Sequence, residues 1–267
     1  MIGQNFRMST MFGKRVRPDE NLPATTHGEF RPDDIADIAY AGGVPIITIC
    51  LVLLLSLIYA VEFHFSGGAG QDGFSPRELV KFGGNNDELV LVYHEYWRVF
   101  TAPLLHSSAI HLVGNCIALL MAGWYLEKIL GPWWFAAAFV LGGIGGCVGS
   151  FNLNGPGIVS VGASGAIMGL LAMTLMLAYR EDDDTRAFRM MIWSARIMMP
   201  SLLPLASHGH INYAAHFGGA VAGLLLYLTL STWWEDSEMR PPFANVAAGI
   251  VAAAFLFATY GFAFGSA

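Results

Sequence analysis

A few residues in this chain have the types and spacing needed for acyl transfer, and they lie where polar groups are scarce. Ser164 stands in Gly162-Ala163-Ser164-Gly165, at the start of an apolar run from Ala166 to Ala178. A serine between glycines at a helix start is small, approachable and close to backbone N–H groups. Its hydroxyl is a poor nucleophile until a base takes its proton. His216 offers an imidazole, the side chain that titrates nearest neutrality. A tetrahedral intermediate also needs preformed donors for its oxyanion, and the Ser164 N–H, the Asn115 amide and the His111 imidazole are candidates. His111 and Asn115 are four residues apart and share one helix face. Taken singly, each has a plainer reading, because a serine in an apolar helix commonly packs or bonds back to the preceding turn. The weight rests on their coincidence.

Elements of membrane-spanning length must position these residues. The chain has 267 residues, 55% hydrophobic and 13% charged, with a net charge of −6 and a mean hydropathy of +0.52. That composition describes an all-α polytopic membrane protein, with the lipid bilayer as its partner and no nucleic acid. Residues 1–43 are polar, carry Pro18, Pro23 and Pro32, and read as a cytosolic tail without a cleavable signal peptide. Apolar runs predict spans over about 44–63, 109–128, 133–151, 162–179, 190–205 and 213–230, with a seventh over 243–264. A run of 20 residues at 1.5 Å each crosses about 30 Å, one hydrocarbon thickness. A long first loop, 64–108, lies between the first two spans. Cys50, Cys116 and Cys147 lie in apolar runs at unrelated spacings, which favours neither disulfides nor a metal site.

With the N-terminus inside, the inner segments carry Arg7, Lys14, Arg15, Arg17, Arg31, Lys128, Arg180, Arg186, Arg189 and Arg240. The outer segments carry only Arg77, Lys81 and Arg98, and Arg196 lies inside a span. This asymmetry sets the orientation. Spans two, four and six then enter from outside, bringing His106, His111 and Asn115, then Ser164, then Asn212 and His216 to one depth. Intramembrane polar groups are expensive and face the bundle interior. Gly165 and Gly169, with Gly219 and Gly223, each form a G-x-x-x-G that lets two helices approach closely. No carboxylate lies near the outer ends of these three spans, so the expected arrangement is a Ser–His dyad rather than a triad.

These motifs together resemble the rhomboid intramembrane serine proteases. The matching residues are Trp97-Arg98 in the first loop, His111-x-x-x-Asn115, Gly162-Ala163-Ser164-Gly165, and Ala215-His216-x-x-Gly219-x-x-x-Gly223, with Glu127-Lys128 before Gly131. They occur in the family's order over about 44–232. The resemblance implies a six-helix core plus one C-terminal helix, Ser164 as nucleophile and His216 as general base. It implies an oxyanion hole from His111, Asn115 and the Ser164 N–H, and a structural role for Trp97 and Arg98 in the first loop. No metal or other cofactor is implied, and the substrates would be transmembrane proteins cut near the outer face. The short fifth span, with Pro200 and Pro204, would be the lateral gate.

The chain departs from that pattern in two places. Met168 stands where many relatives carry an aromatic that packs on the catalytic imidazole, and Ala102 stands where some carry a histidine. Asn212, one turn before His216, either orients it or binds substrate backbone, or plainly caps the loop. His106, His208 and His210 read as solvated or water-retaining groups; a metal site built from them with His216 would lack any carboxylate or thiolate. A C-terminal extra helix argues against a mitochondrial assignment, and a bacterial inner membrane is the expected location. Two other functions compete: a catalytically inactive relative that binds or escorts transmembrane clients, which would typically lack the Ser or the His, and a small-solute transporter, for which no internal repeat is visible.

Overall fold

The first span needs an acceptor for its leading N–H groups, because the first turn of a helix has none of its own. Glu127 supplies it. Helix α1 (Ile46–Phe65) follows Pro45. The Glu127 carboxylate accepts from Ile47 N at 2.9 Å, Thr48 N at 2.8 Å and Thr48 Oγ1 at 2.7 Å. A carboxylate at a helix N-terminus also complements the helix dipole. The computed structural model of the chain describes residues 43–67, 73–181, 184–202, 211–234 and 240–264. The N-terminal tail, the His208/His210 loop and Pro204 therefore lie outside the described residues.

The first loop is built from short capped elements. Helix α2 (Pro76–Phe82) opens with a capping box, in which Glu78 Oε2 accepts from Ser75 N at 2.7 Å. The hydrogen bonds from Ser75 hold the Glu78 carboxyl below its usual range. Strand β1 (Asn85–Asn86) and helix α3 (Asp87–Leu91) follow, then helix α4 (Arg98–Thr101) and a 3₁₀ turn (Ala102–Leu104). The second and third predicted spans form one continuous element, α5 (Ala109–Leu153), broken at Gly131 with φ 75° and ψ 165°. A left-handed residue before Pro132, which lacks an N–H, interrupts the ladder without a loop. The chain doubles back there: His111 on the first arm and Gly146 on the second both lie against the 162–165 segment.

Strand β2 (Val159–Ser160) pairs antiparallel with β1 and leads into α6 (Ser164–Arg180), then α7 (Asp184–Leu202), α8 (Tyr213–Ser231) and α9 (Ala244–Phe264). Helix α6 starts two positions later than the apolar run predicts, because Gly162 holds φ +115° outside the helix. Helix α7 starts at Asp184 rather than 190. An acid in the first turn suits that end of the helix, so part of the predicted charged connector is helical.

Among the described residues, four helices are long and apolar enough to cross a membrane: α1, α5, α8 and α9; α6 is apolar but shorter, at 17 residues. Their outward faces carry Leu53, Leu57, Ile110, Val113, Leu225, Phe255 and Leu256, all exposed. Apolar surface on that scale belongs in lipid rather than water. The molecule is an all-α polytopic membrane protein. Its core lies between α5, α6 and α8, around Leu119, Leu126, Phe135, Leu170, Leu171 and Met173.

Candidate active site

Glycines bring three helices together at the level of Ser164. A Cβ added to Gly219 would land on the Gly165 carbonyl oxygen, and one added to Gly223 on that of Gly169. Gly165 itself has its Cβ position 3.1 Å from the Gly146 Cα and 3.3 Å from the Ala215 oxygen. Gly142, Gly145 and Gly149 open the second arm of α5 in the same way, toward Ala166, Ala222 and Ala214. Backbones therefore meet where side chains would otherwise hold them apart. Ser164 and His216 each adjoin a contact of this crossing, since Gly165 follows one, Ala215 precedes the other, and the Gly165 Cβ position lies 3.3 Å from the Ala215 oxygen. Ser164 opens α6, where N–H groups lack intrahelical acceptors. His216 is 4% exposed.

His111 and Asn115 crowd Gly162 from the first arm of α5. A Cβ on Gly162 would stand 2.6 Å from His111 Cε1, 2.8 Å from its Nε2 and 3.4 Å from Asn115 Nδ2. Only glycine fits there, on steric grounds and because of its positive φ. Asn115 Nδ2 is buried and makes no hydrogen bond among the described residues. Buried donors are nearly always paired, and this amide beside Gly162 is left with a donor to spare. Gly162 N donates to the Ala102 oxygen at 3.0 Å. A cavity of about 20 Å³, room for about one water molecule, lies between Ala102, Ser160, Gly162, Ser164, Asn212 and Ala215.

Loop contacts hold this backbone. Arg98 donates to the Val80 oxygen at 2.6 Å and the Gly84 oxygen at 3.2 Å, pairs with Glu95 at 2.5 Å, and its guanidinium stacks 4.5 Å over the Trp97 ring. Gly84 precedes β1, and β1 pairs with the strand that leads to Gly162. Helix α9 packs on the same loop. Trp97 stacks edge-on to Phe262, and Phe100 lies 5.3 Å from Phe257.

Some residues here carry no strong sequence signal. Tyr213 presents its ring edge-on to His216 at 6.5 Å, three residues away on one helix face. Met168 is 2% exposed within the core cluster. Asn212 caps α8 by accepting from Ala215 N at 2.9 Å and donates to Ser150 Oγ and Ser160 Oγ, each at 2.9 Å. Asn154 donates to Asn212 Oδ1 at 3.0 Å. His106, in the loop before α5, is fully buried, and burial together with the neighbouring His111 pushes its pKa down to about 3. No cluster of three or more potential metal-ligating side chains occurs among the described residues.

A polytopic helical membrane protein with a buried, convergent polar site defines the class. The family model described as the Rhomboid domain matches residues 93–233, and the chain belongs to the rhomboid family. It is similar to RHOMBOID-like protein 1 of Arabidopsis thaliana, 34% identical over 155 residues, which are 58% of this chain and 39% of that protein. It is also similar to the rhomboid protease AarA of Providencia stuartii, 26% identical over 206 residues, 69% of this chain and 72% of that one. The rhomboid protease GluP of Bacillus subtilis (strain 168) is 27% identical over 187 residues, 69% of this chain and 34% of that protein.

Proposed function

We propose that the chain is an intramembrane serine endopeptidase that cuts transmembrane segments by a Ser164–His216 dyad. The observation that carries this reading is the glycine crossing, which sets the segments holding Ser164 and His216 backbone to backbone, beside the buried and unpaired Asn115 amide. Family membership and the relatives named as proteases support it.

Chemically, the Ser164 hydroxyl oxygen attacks the scissile carbonyl carbon while His216 takes its proton. The carbonyl oxygen becomes an oxyanion within reach of the Ser164 N–H, the Asn115 amide and the His111 imidazole. The C–N bond then breaks, and His216 gives its proton to the leaving amine. Water attacks the acyl-enzyme with His216 again as base, and Ser164 leaves with the returned proton. An intact substrate helix hides its carbonyls in backbone hydrogen bonds, so segments with helix-weakening residues react best. The working core is 44–232, with 243–264 an added helix that buttresses the first loop. The N-terminus lies on the cytoplasmic side of a bacterial inner membrane, and cleavage falls near the opposite face.

Purified protein reconstituted with a model transmembrane substrate tests this. Wild type is expected to release two fragments whose masses place the cut near the outer end of the substrate span, and Ser164→Ala or His216→Ala to release none. A wild-type preparation that binds the transmembrane peptide without cutting it favours the alternative, a catalytically inactive client-binding relative.

A further inference from the structure

We propose that Ser107 is a positioning residue that holds His111 as its Nε2–H tautomer, with that N–H directed at the Gly162–Ser164 backbone; the inference rests on His111 acting as an oxyanion donor. A neutral imidazole has one N–H, and the partner of one ring nitrogen decides which nitrogen bears it. Ser107 Oγ lies 3.1 Å from His111 Nδ1. A hydroxyl that donates to Nδ1 leaves the proton on Nε2, and Nε2 is the nitrogen that faces Gly162. The same logic governs histidines whose second nitrogen is oriented by an outer partner.

The rest of the surroundings fit this role. Ser107 lies four residues before His111, next to Ser108, whose Oγ caps α5 by accepting from His111 N at 3.2 Å. Its own backbone is pinned, because Phe74 N donates to the Ser107 oxygen at 2.8 Å. Gly73, with φ +93°, is the residue that lets the first loop approach that carbonyl. The other side of the His111 ring is closed by His106, edge-on at 5.2 Å, which stays neutral through its burial and contributes no competing charge. Ser107 thus fixes the protonated nitrogen, and His106 fixes the ring plane.

The test uses the full chain in lipid nanodiscs, labelled with ¹⁵N-histidine, as wild type, Ser107→Ala, Ser107→Thr and His111→Ala. Nitrogen shifts are expected to show wild-type His111 protonated at Nε2 and unprotonated at Nδ1. Ser107→Ala is expected to lower kcat about tenfold with KM within about twofold, the scale of one lost hydrogen bond between neutral groups. Ser107→Thr restores kcat, and Ser107→Ala adds nothing in a His111→Ala background. A wild-type His111 protonated at Nδ1, or a Ser107→Ala variant with unchanged kcat while His111→Ala is impaired, overturns the proposal. If His111→Ala keeps full kcat, the oxyanion assignment fails instead, and the ring shifts still report the tautomer independently.

Discussion

Asn212 joins three segments around the candidate dyad. It caps α8 one turn before His216, bonds Ser150 and Asn154 at the end of α5, and bonds Ser160 on the strand leading to Ser164. Replacing it with alanine removes a helix cap and strands two hydroxyls' worth of partners. Asn212→Ala is expected to lose about 2 kcal/mol of stability and to reduce turnover more than substrate binding, because the segments holding His216 and Ser164 lose a shared anchor. Thermal unfolding in detergent and a kcat–KM comparison check both; an unchanged kcat in a folded variant would show that the network serves only the fold. From the sequence, Asn212 could be placed one turn before His216 as a residue to orient it, bind substrate backbone or cap the loop, but not assigned its partners. Its partners Ser150, Asn154 and Ser160 are distant in the chain, at unremarkable spacings, and only the folded backbone assembles them.

Among the elements, the α6–α8 crossing depends on four glycines that the sequence displays openly, since a G-x-x-x-G in an apolar run has a direct steric meaning. Gly219→Ala is expected to misfold or to lose several kcal/mol, because its methyl group would meet the Gly165 carbonyl. Gly114→Ala is the contrasting case: it lies in a helix and its Cβ position has nothing within 4 Å. That change is expected to be neutral or to stabilise by about 0.5–1 kcal/mol. Steric trapping or thermal unfolding of the two variants separates the predictions; equal effects would show that the crossing tolerates side chains. The opening of the second arm of α5 at Gly142, Gly145 and Gly149 was legible only as glycine density, without a named partner. The break at Gly131 was readable as Pro132, yet not as a turn without a loop. Hydropathy marks where apolar runs end, and it carries no information on φ.

For the whole molecule, the outward apolar faces and the charge distribution together set how the chain lies in a bilayer. Ten cations fall in the segments assigned inside and three in those assigned outside, and such asymmetry orients multi-pass proteins. Single cysteines introduced at Arg77 and Arg240, in a background lacking Cys50, Cys116 and Cys147, are expected to react with a membrane-impermeant thiol reagent from opposite faces. Labelling of both from one side would contradict the orientation. Among the described residues, α1, α5, α8 and α9 were legible because each apolar run is long enough to cross lipid. The packing of α9 against Trp97 and Phe100 was not, since nothing in an apolar run names the surface it will cover. That packing gives the C-terminal helix a position beside the first loop, whose backbone reaches the Gly162–Ser164 segment through the Ala102–Gly162 hydrogen bond.

The central claim is that Ser164 is an activated nucleophile. Fluorophosphonates react with serines whose hydroxyl is deprotonated by a neighbouring base. Labelling of purified protein in bilayers, followed by peptide mass mapping, tests it most directly. The adduct is expected on Ser164 in wild type and is expected to vanish in His216→Ala as well as in Ser164→Ala. A folded wild type that forms no adduct, or an adduct that persists at Ser164 without His216, would contradict the dyad.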